Sequence, residues 1–428
     1  MGTQDIKVIG LTGAFGSGCN TASRFFKTKG FQVYSLSKWL KKTCDNKGLF
    51  KTRRNLQDIG DEIRMKYPSS VGNESRYDYL VQIFLSEISQ RRKLTVKKIN
   101  DGRVKDLFMN AEILKSSLNI DKNLVIKSIR NKGETDTLRD IFPNFYLIAI
   151  DTESGLRWNR IIGDNKVKKE YNNKKYFDID DERDSGEDEE EYGQQVRRCV
   201  NEADIIINND SNLEKFHKSL DEYYRLIIGE LKREESDPEK AMREAVTISH
   251  RSKCFKRQVG AVLVDIDTNE IVSLGYNEGP LEKDICFKSG KCTRSTKQIC
   301  HKCGQKWSVV FDKCMGCNEP IPKDIRSVLK KNLDLCIAVH AEERAILNAL
   351  KVNKFKQEKK YALYTTTFPC LICTRTIIEV GIKKIIYIDP YPYFDAQKLL
   401  SDKSLERIDV IKFTGVKSIS AYEKLFKG

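Results

Sequence analysis

The segment His340-Ala341-Glu342, followed by Pro369-Cys370-Leu371-Ile372-Cys373, restricts this 428-residue chain more than any other feature. An imidazole and two thiolates that meet at one zinc ion fill three tetrahedral positions and leave the fourth open. A water there has its pKa lowered to about 7. Glu342, two residues from the histidine and not a ligand, is then free to move protons. The set also dictates backbone. A proline before Cys370 suits a helix start, and the positive end of a helix dipole stabilises thiolates. His340 and Glu342 open a second helix that continues through Glu343-Arg344-Ala345-Ile346-Leu347, where their side chains diverge. Cys370-x-x-Cys373 alone would fit a structural zinc knuckle or a redox pair, and the preceding His-x-Glu argues against both.

This combination resembles the zinc deaminases of cytosine and adenine. The resemblance implies that Glu342 takes a proton from the water, passes it to the ring nitrogen as carbon four is attacked, and later protonates the departing ammonia. Three flanking segments resemble the deoxycytidylate deaminase family: Ser252 to Val262, Gly275-Tyr276-Asn277-Glu278-Gly279-Pro280, and Asp389-Pro390-Tyr391-Pro392. The likeness covers about residues 238–428 and implies the cytidine deaminase fold, a mixed sheet sandwiched by helices. It also implies a sugar or phosphate contact from Asn277 and a phosphate contact from Lys256 or Arg257. Ordinary surface charge is the alternative for the two basic residues.

An insertion at about 281–335 carries Cys300-x-x-Cys303 and, ten residues on, Cys314-x-x-Cys317. Four thiolates close a zinc site, so the spacing predicts a structural zinc ribbon. Cys286, Cys292, His301 and Cys336 are alternative members. Thirteen cysteines in a chain without a visible export signal fit metal ligands and reduced thiols, which places the protein in the cytoplasm. No apolar run approaches the roughly 18 residues of a membrane helix.

The polar stretch Glu234-Glu235-Ser236-Asp237-Pro238 predicts a division into domains 1–235 and 236–428. Upstream, apolar runs at Val8 to Leu11, Leu124 to Ile126, Phe145 to Ile150 and Ile205 to Ile207 alternate with helical patterns such as Tyr77 to Ile88. That alternation predicts an α/β domain with a parallel sheet. Downstream, Val259 to Val264 and Ile271 to Leu274 read as a hairpin, and Ala362 to Thr365 and Lys384 to Ile388 as further strands. The net charge is +15, yet residues 178–191 hold ten acids and one arginine, leaving 75 basic against 51 acidic residues elsewhere. That excess attracts nucleic acid or nucleoside phosphates, and the acidic run reads as a mobile exposed segment.

Between the first strand and a helix lies Gly10-Leu11-Thr12-Gly13-Ala14-Phe15-Gly16-Ser17-Gly18-Cys19-Asn20-Thr21, which looks like a phosphate-binding loop. Gly13, Gly16, Ser17, Gly18, Asn20 and Thr21 are its candidate nucleotide-binding residues, for ATP, GTP or another nucleotide. Cys19 occupies the place of the usual lysine and Asn20 that of the magnesium-holding hydroxyl. A glycine-rich turn without a ligand is the alternative. Arg54 to Asp61, Ile129-Arg130-Asn131 with Gly133-Glu134, and Asp181 to Asp184 extend the likeness to nucleoside monophosphate and dephospho-coenzyme A kinases. That likeness makes Arg54, Arg130 and Arg183 candidate phosphate contacts. A kinase-like domain followed by a deoxycytidylate-type deaminase resembles the antiphage dCTP deaminases over essentially the whole chain. The resemblance implies conversion of dCTP or dCMP to deoxyuridine forms, a homo-oligomer, and in some members restraint by a small RNA. A housekeeping dCMP deaminase and a nucleic-acid-binding or RNA-editing deaminase are the alternatives.

Overall fold

The computed structural model describes residues 6–71, 74–88, 122–163, 171, 173–186, 189–254, 257–283, 286, 288, 300, 302–303, 313–314, 316–320, 336–390, 394–402 and 404–427. The chain divides into two compact units: Met1–Ser236 with Phe413–Gly428, and Asp237–Lys412. No helix among the described residues is long and apolar enough to cross a membrane.

Unit one is built on β1 (Val8–Thr12), β2 (Gln32–Ser35), β5 (Leu124–Lys127), β6 (Phe145–Asp151) and β7 (Ile205–Asn208), while β3 (Ser69–Val71) and β4 (Glu74–Arg76) form a separate ribbon. Its sheet runs β13-β7-β6-β1-β5-β2, parallel apart from the short β13 (Gly415–Val416). β1 and six of the seven residues of β6 are buried, as expected of strands covered on both faces. Phe26 of α1 (Cys19–Thr28) and Phe216 and Leu220 of α4 (Leu213–Ile227) pack on Ile9, Leu11, Ile148 and Ile150. Between these helices in sequence lie α2 (Lys132–Ile141), opened by an Asn131–Glu134 capping box, and α3 (Lys174–Ser185). Buried Arg64 closes on the same Glu134 at 3.0 Å.

Two expectations are corrected here. The last residues do not end the second domain but return to the first. Val416 and Gly415 pair with Ile205 and Ile206, and Val416 is fully buried in the unit-one core. The Lys417 amide donates to the Asp204 carbonyl at 2.9 Å and the Ser418 hydroxyl to the Asp204 carboxylate at 2.6 Å. A two-residue strand carries no readable periodicity.

The acidic run is also not a free segment, because much of it is α3. Asp184 is fully buried between Arg53 and Arg130, the latter at 2.6 Å. Burial alone would raise its carboxyl, but Arg130 and Arg53 hold it down to about 2. Asp181 takes both terminal nitrogens of Arg157, at 2.5 and 2.7 Å, and Arg183 reaches Asp58 and Asp61 at 2.5 and 2.6 Å. Arginines distant in sequence thus answer Asp181 and Asp184, whereas Glu189, Glu190 and Glu191 are exposed as expected.

Unit two holds β8 (Gly260–Asp265), β9 (Ile271–Tyr276), β10 (Tyr361–Thr367), β11 (Lys384–Asp389) and β12 (Asp409–Lys412), ordered β12-β11-β10-β8-β9. β8 and β9 form the expected antiparallel hairpin, and β10, β11 and β12 run parallel. Among the described residues the helices that accompany the sheet include α5 (Asp237–Ser249), α6 (Ala341–Lys351) and α7 (Leu371–Glu379). Ala341, Ala345 and Ala349, spaced four apart on α6, share a core with Ala261, Leu263, Leu363 and Ile377. The protein is therefore α/β in both units, one with a sheet that is parallel but for β13 and one with a mixed sheet.

Val416→Asp would place an uncompensated carboxylate in the unit-one core. A loss of several kcal/mol in unit-one stability is expected by chemical denaturation, and an unchanged unfolding midpoint would contradict the tail's role.

Candidate active site

His340 and Cys370 are the residues that immediately precede α6 and α7, both in extended backbone (φ −70° and −72°). Each sits where a helix leaves four amides without intrahelical partners. The Glu278–Val339 bridge, with Val339 N donating to Glu278 O at 2.9 Å, delivers the chain to His340. Gly275 on β9 lets α6 approach, since a Cβ there would lie 2.2 Å from the Ala341 carbonyl and 2.4 Å from the Ala345 amide.

These constraints bring His340 Nδ1 to 3.3 Å from Cys370 Sγ and 3.4 Å from Cys373 Sγ. The three donor atoms lie within 4.8 Å of one another, the spacing of ligands that share one ion. A nitrogen and two sulfurs fit zinc by softness and leave one tetrahedral position open. Cys370 is held down to about 4 by its hydrogen bond from Cys373 and by His340. Burial disfavours a charged His340, yet Cys336 and Cys370 outweigh it and lift the imidazole to about 11. An imidazolium facing a thiolate is the charge pattern that a divalent cation replaces.

Glu342, 4% exposed, lies outside the trio, with Oε2 3.6 Å from Cys373 Sγ and Oε1 accepting from Thr365 Oγ1 at 3.4 Å. Burial pushes its carboxyl up to about 7 despite the opposing His340 charge. Thr365 had no signal in the sequence, because a threonine in a strand is ordinary. Nor did Arg344. Its buried guanidinium donates to the carbonyls of Tyr276, Glu278 and Gly279 at 2.8–2.9 Å and fixes the 276–279 loop against α6.

That loop carries Asn277, whose Oδ1 accepts from Val259 N at 2.7 Å and whose Nδ2 donates to Arg257 O at 2.9 Å. Asn277 thus has a structural duty as a clamp. Arg257 is 3.5 Å from Asp389, which closes the end of β11. Lys256, Tyr391 and Pro392 lie outside the described residues.

The ribbon cysteines also converge. Cys300 is 3.5 Å from Cys317 and Cys303 3.5 Å from Cys314, all four within 4.8 Å. The Lys313–Pro320 bridge and the Cys314 N to Glu319 O bond at 2.7 Å shape the second knuckle. The amides of Cys303 and Lys302 lower the Cys300 thiol to about 6, as befits a ligand. Cys336 lies with His340 and not in this cluster, whereas Cys292 and His301 fall outside the described residues.

In unit one the glycine-rich turn joins β1 to α1. Gly18 (φ 116°) precedes the helix, and a Cβ there would meet Asn209 Nδ2 at 2.4 Å. Gly13 and Gly16 also have positive φ. Asn209 and Thr152 donate to the Ser17 carbonyl at 2.7 and 2.9 Å, anchoring the turn, while Thr21 lies in the first turn of α1. Cys19 turns inward, its thiol donating to Thr12 O at 3.3 Å. Cations stand close by: Lys127 donates to Asn20 Oδ1 at 2.8 Å, Arg157 to Phe15 O at 3.3 Å and Arg160 to Ser17 O at 3.4 Å. Arg130 and Arg183 are engaged by carboxylates, and Arg54 is exposed.

Two zinc equivalents per chain are expected by metal analysis. Cys300→Ser with Cys303→Ser should release one and lower the melting temperature, and Cys370→Ser should release the other. A single equivalent in the intact protein would contradict the two-site arrangement. In zinc-free protein, the raised Glu342 carboxyl favours folding when protonated, so its contribution is complete below about pH 4.5 and is lost as pH rises through about 7. Glu342→Gln should remove that slope, gaining roughly 3 kcal/mol at pH 8 relative to wild type. Parallel stability–pH curves for the two would contradict it.

Residues 235–389 match the model of the cytidine and deoxycytidylate deaminase zinc-binding region. The deoxycytidylate deaminase of Schizosaccharomyces pombe is 28% identical over 44% of this chain, and the match spans only about half, 48%, of that relative. The deoxycytidylate deaminase of Pongo abelii is 30% identical over 39% of this chain and 74% of its own length. A dephospho-CoA kinase of Fusobacterium nucleatum is 27% identical over 52% of this chain and 100% of its own length. With its histidine, cysteines and glutamate gathered at two facing helix starts, this chain belongs to the deoxycytidylate deaminase family.

Proposed function

We propose that the chain hydrolytically deaminates free deoxycytidine nucleotides, dCMP or dCTP, to dUMP or dUTP and ammonia. We further propose that nucleotide binding at the glycine-rich loop governs this activity in antiphage defence. The observation that carries the chemistry is Glu342, a buried carboxylate beside a three-donor metal set to which it does not belong. A zinc ion bound by His340, Cys370 and Cys373 would bring a water in its open position to a pKa near 7. With such a water in place, Glu342 would move one of its protons to ring N3 as the oxygen adds to carbon four, and then the remaining hydroxyl proton to the amino group, which leaves as ammonia as the C4 carbonyl forms. Burial, which raises this carboxyl in the metal-free site, favours a group that can hold as well as surrender a proton. Thr365 Oγ1, whose hydroxyl also reaches the Thr367 carbonyl at 3.0 Å, borders the second carboxylate oxygen at 3.4 Å. Asn277, clamped at the end of β9, offers its remaining amide hydrogen to a sugar or phosphate.

The named deoxycytidylate deaminase relatives favour a free nucleotide over a cytosine within a strand. For unit one, an inward thiol, Cys19, stands where a lysine would meet a transferring phosphoryl group, which favours sensing over transfer.

Ammonia release from dCMP, dCTP, CTP and cytosine-containing single strands tests the reading. The deoxynucleotides should be consumed fastest, and turnover confined to the strands would overturn it. Glu342→Gln should keep both zinc ions and lose activity by at least roughly 10²- to 10⁴-fold. Gly18→Asp, blocked by Asn209 and by like charge, should abolish nucleotide binding at the loop and alter deaminase output without changing zinc content. Unaltered regulation would leave the loop without a role.

A further inference from the structure

Because the second unit interrupts the first, the chain passes from one to the other and back. The outgoing passage, residues 228–236, is long enough to absorb a small displacement, whereas the returning one consists of Phe413 and Thr414, which separate β12 from β13. Phe413 is buried. Thr414 is exposed, yet its Oγ1 accepts from the backbone amide of Asn208, the last residue of β7, at 3.1 Å. Immediately after it, β13 is held to β7 by the pairs Gly415 with Ile206 and Val416 with Ile205.

From Asn208 the contacts lead to the glycine-rich loop. Asn209, the next residue, donates from Nδ2 to the Ser17 carbonyl at 2.7 Å, and its own carbonyl is held by Arg160 at 2.7 Å. This contact has no slack, because a Cβ on Gly18 would stand 2.4 Å from Asn209 Nδ2. A ligand that moves the Ser17–Gly18 peptide must therefore move Asn209 as well, since close-packed groups transmit strain. From Lys412 a second set of contacts leads to the donor trio. Lys412 ends β12 and is paired with Tyr387 of β11, whose ring packs edge to face on Phe368 with centroids 4.9 Å apart. Phe368 precedes Cys370 by two residues, and its amide donates to the Asp389 carbonyl at 2.9 Å. The Lys412–Phe413 peptide bond joins the two sets.

We propose that Thr414 couples the glycine-rich loop to the deaminase centre. A nucleotide that moves Ser17 and Gly18 shifts Asn209 and Asn208, and Thr414 follows. The short passage then carries the shift to β12, Tyr387 and Phe368, which set where Cys370 stands. This coupling rests on the reading that loop occupancy governs deamination, and it supplies the connection. It is measured as the ratio of turnover with and without the loop's ligand, of which one hydrogen bond at the junction accounts for about two- to tenfold.

The test is dCMP turnover by the full-length zinc-loaded protein with and without non-hydrolysable analogues of ATP and GTP, with binding of each analogue measured alongside. Thr414→Val keeps the branched shape and removes the acceptor, and the Asn208 amide is exposed enough for water to replace it. The variant should bind analogue and turn over dCMP alone as the wild type does, while the change in turnover on adding analogue shrinks about two- to tenfold. Thr414→Ser restores the hydroxyl and should restore the response. Two glycines inserted between Lys412 and Phe413 leave the hydrogen bonds in place but slacken the passage, and should abolish the response. A response undiminished in Thr414→Val or after the insertion would overturn the coupling while leaving control by the loop intact. Absence of analogue binding, or binding that leaves wild-type turnover unchanged, would overturn control by the loop and the coupling with it.

Discussion

The candidate active site depends on how closely α6 can lie against β8 and β9. The alanines at 341, 345 and 349 present no bulk, and Gly275 presents no Cβ where the first turn of α6 crosses β9. Only that proximity lets Arg344 reach three carbonyls of the 276–279 loop, and only a fixed loop allows the Glu278–Val339 bridge to deliver His340. A larger residue at 275 would push α6 away by more than the tolerance of a metal site. The ligand set is thus a product of helix-to-sheet packing before it is a product of metal chemistry.

The same packing explains how a buried carboxylate persists. Glu342 has only weak side-chain hydrogen bonds, from Thr365 and from Cys373, and burial raises its carboxyl toward neutrality, a cost an apolar residue would not carry. Its retention beside the donor trio makes sense where proton transfer needs a group poised near pH 7. Asp184 shows the opposite solution. There the protein buries a carboxylate and answers it with Arg53, Arg130 and Gln57, producing an anchor and not a reactive group. Environment therefore assigns the two carboxylates different roles.

Much of this was legible in the chain because the informative features are local. Cys-x-x-Cys spacing, a proline before a helix and apolar strand runs are written within a few residues, and β1, β6, β8 and β10 lie where those runs predicted. What escaped reading is long-range. The acidic run looked free because Arg53 and Arg130, its partners at Asp184, are 131 and 54 residues away. Lys127 gave no hint that it would stand beside Asn20, 107 residues distant. Asn277 carried a family expectation of ligand contact, yet its amide also bridges the Val259 and Arg257 backbone, a duty invisible without the fold.

Chain connectivity adds one further constraint. Because β13 returns to pair with β7, unit two is inserted within unit one, between Ser236 and Phe413. Only Phe413 and Thr414 separate β12 of one sheet from β13 of the other. Dividing the chain at residue 235, as its composition invites, would strip β7 of a neighbour and open the core around Val416. It would also leave Asp204 without Lys417 and Ser418, two of its hydrogen-bond donors. An uncovered apolar strand edge is prone to pair with another chain. A fragment of residues 1–235 should therefore aggregate or melt well below the full protein, whereas one in which residues 413–428 follow residue 236 through a short linker should recover unit-one stability. Equal melting temperatures for the two fragments would show that the returning tail contributes nothing to the first unit.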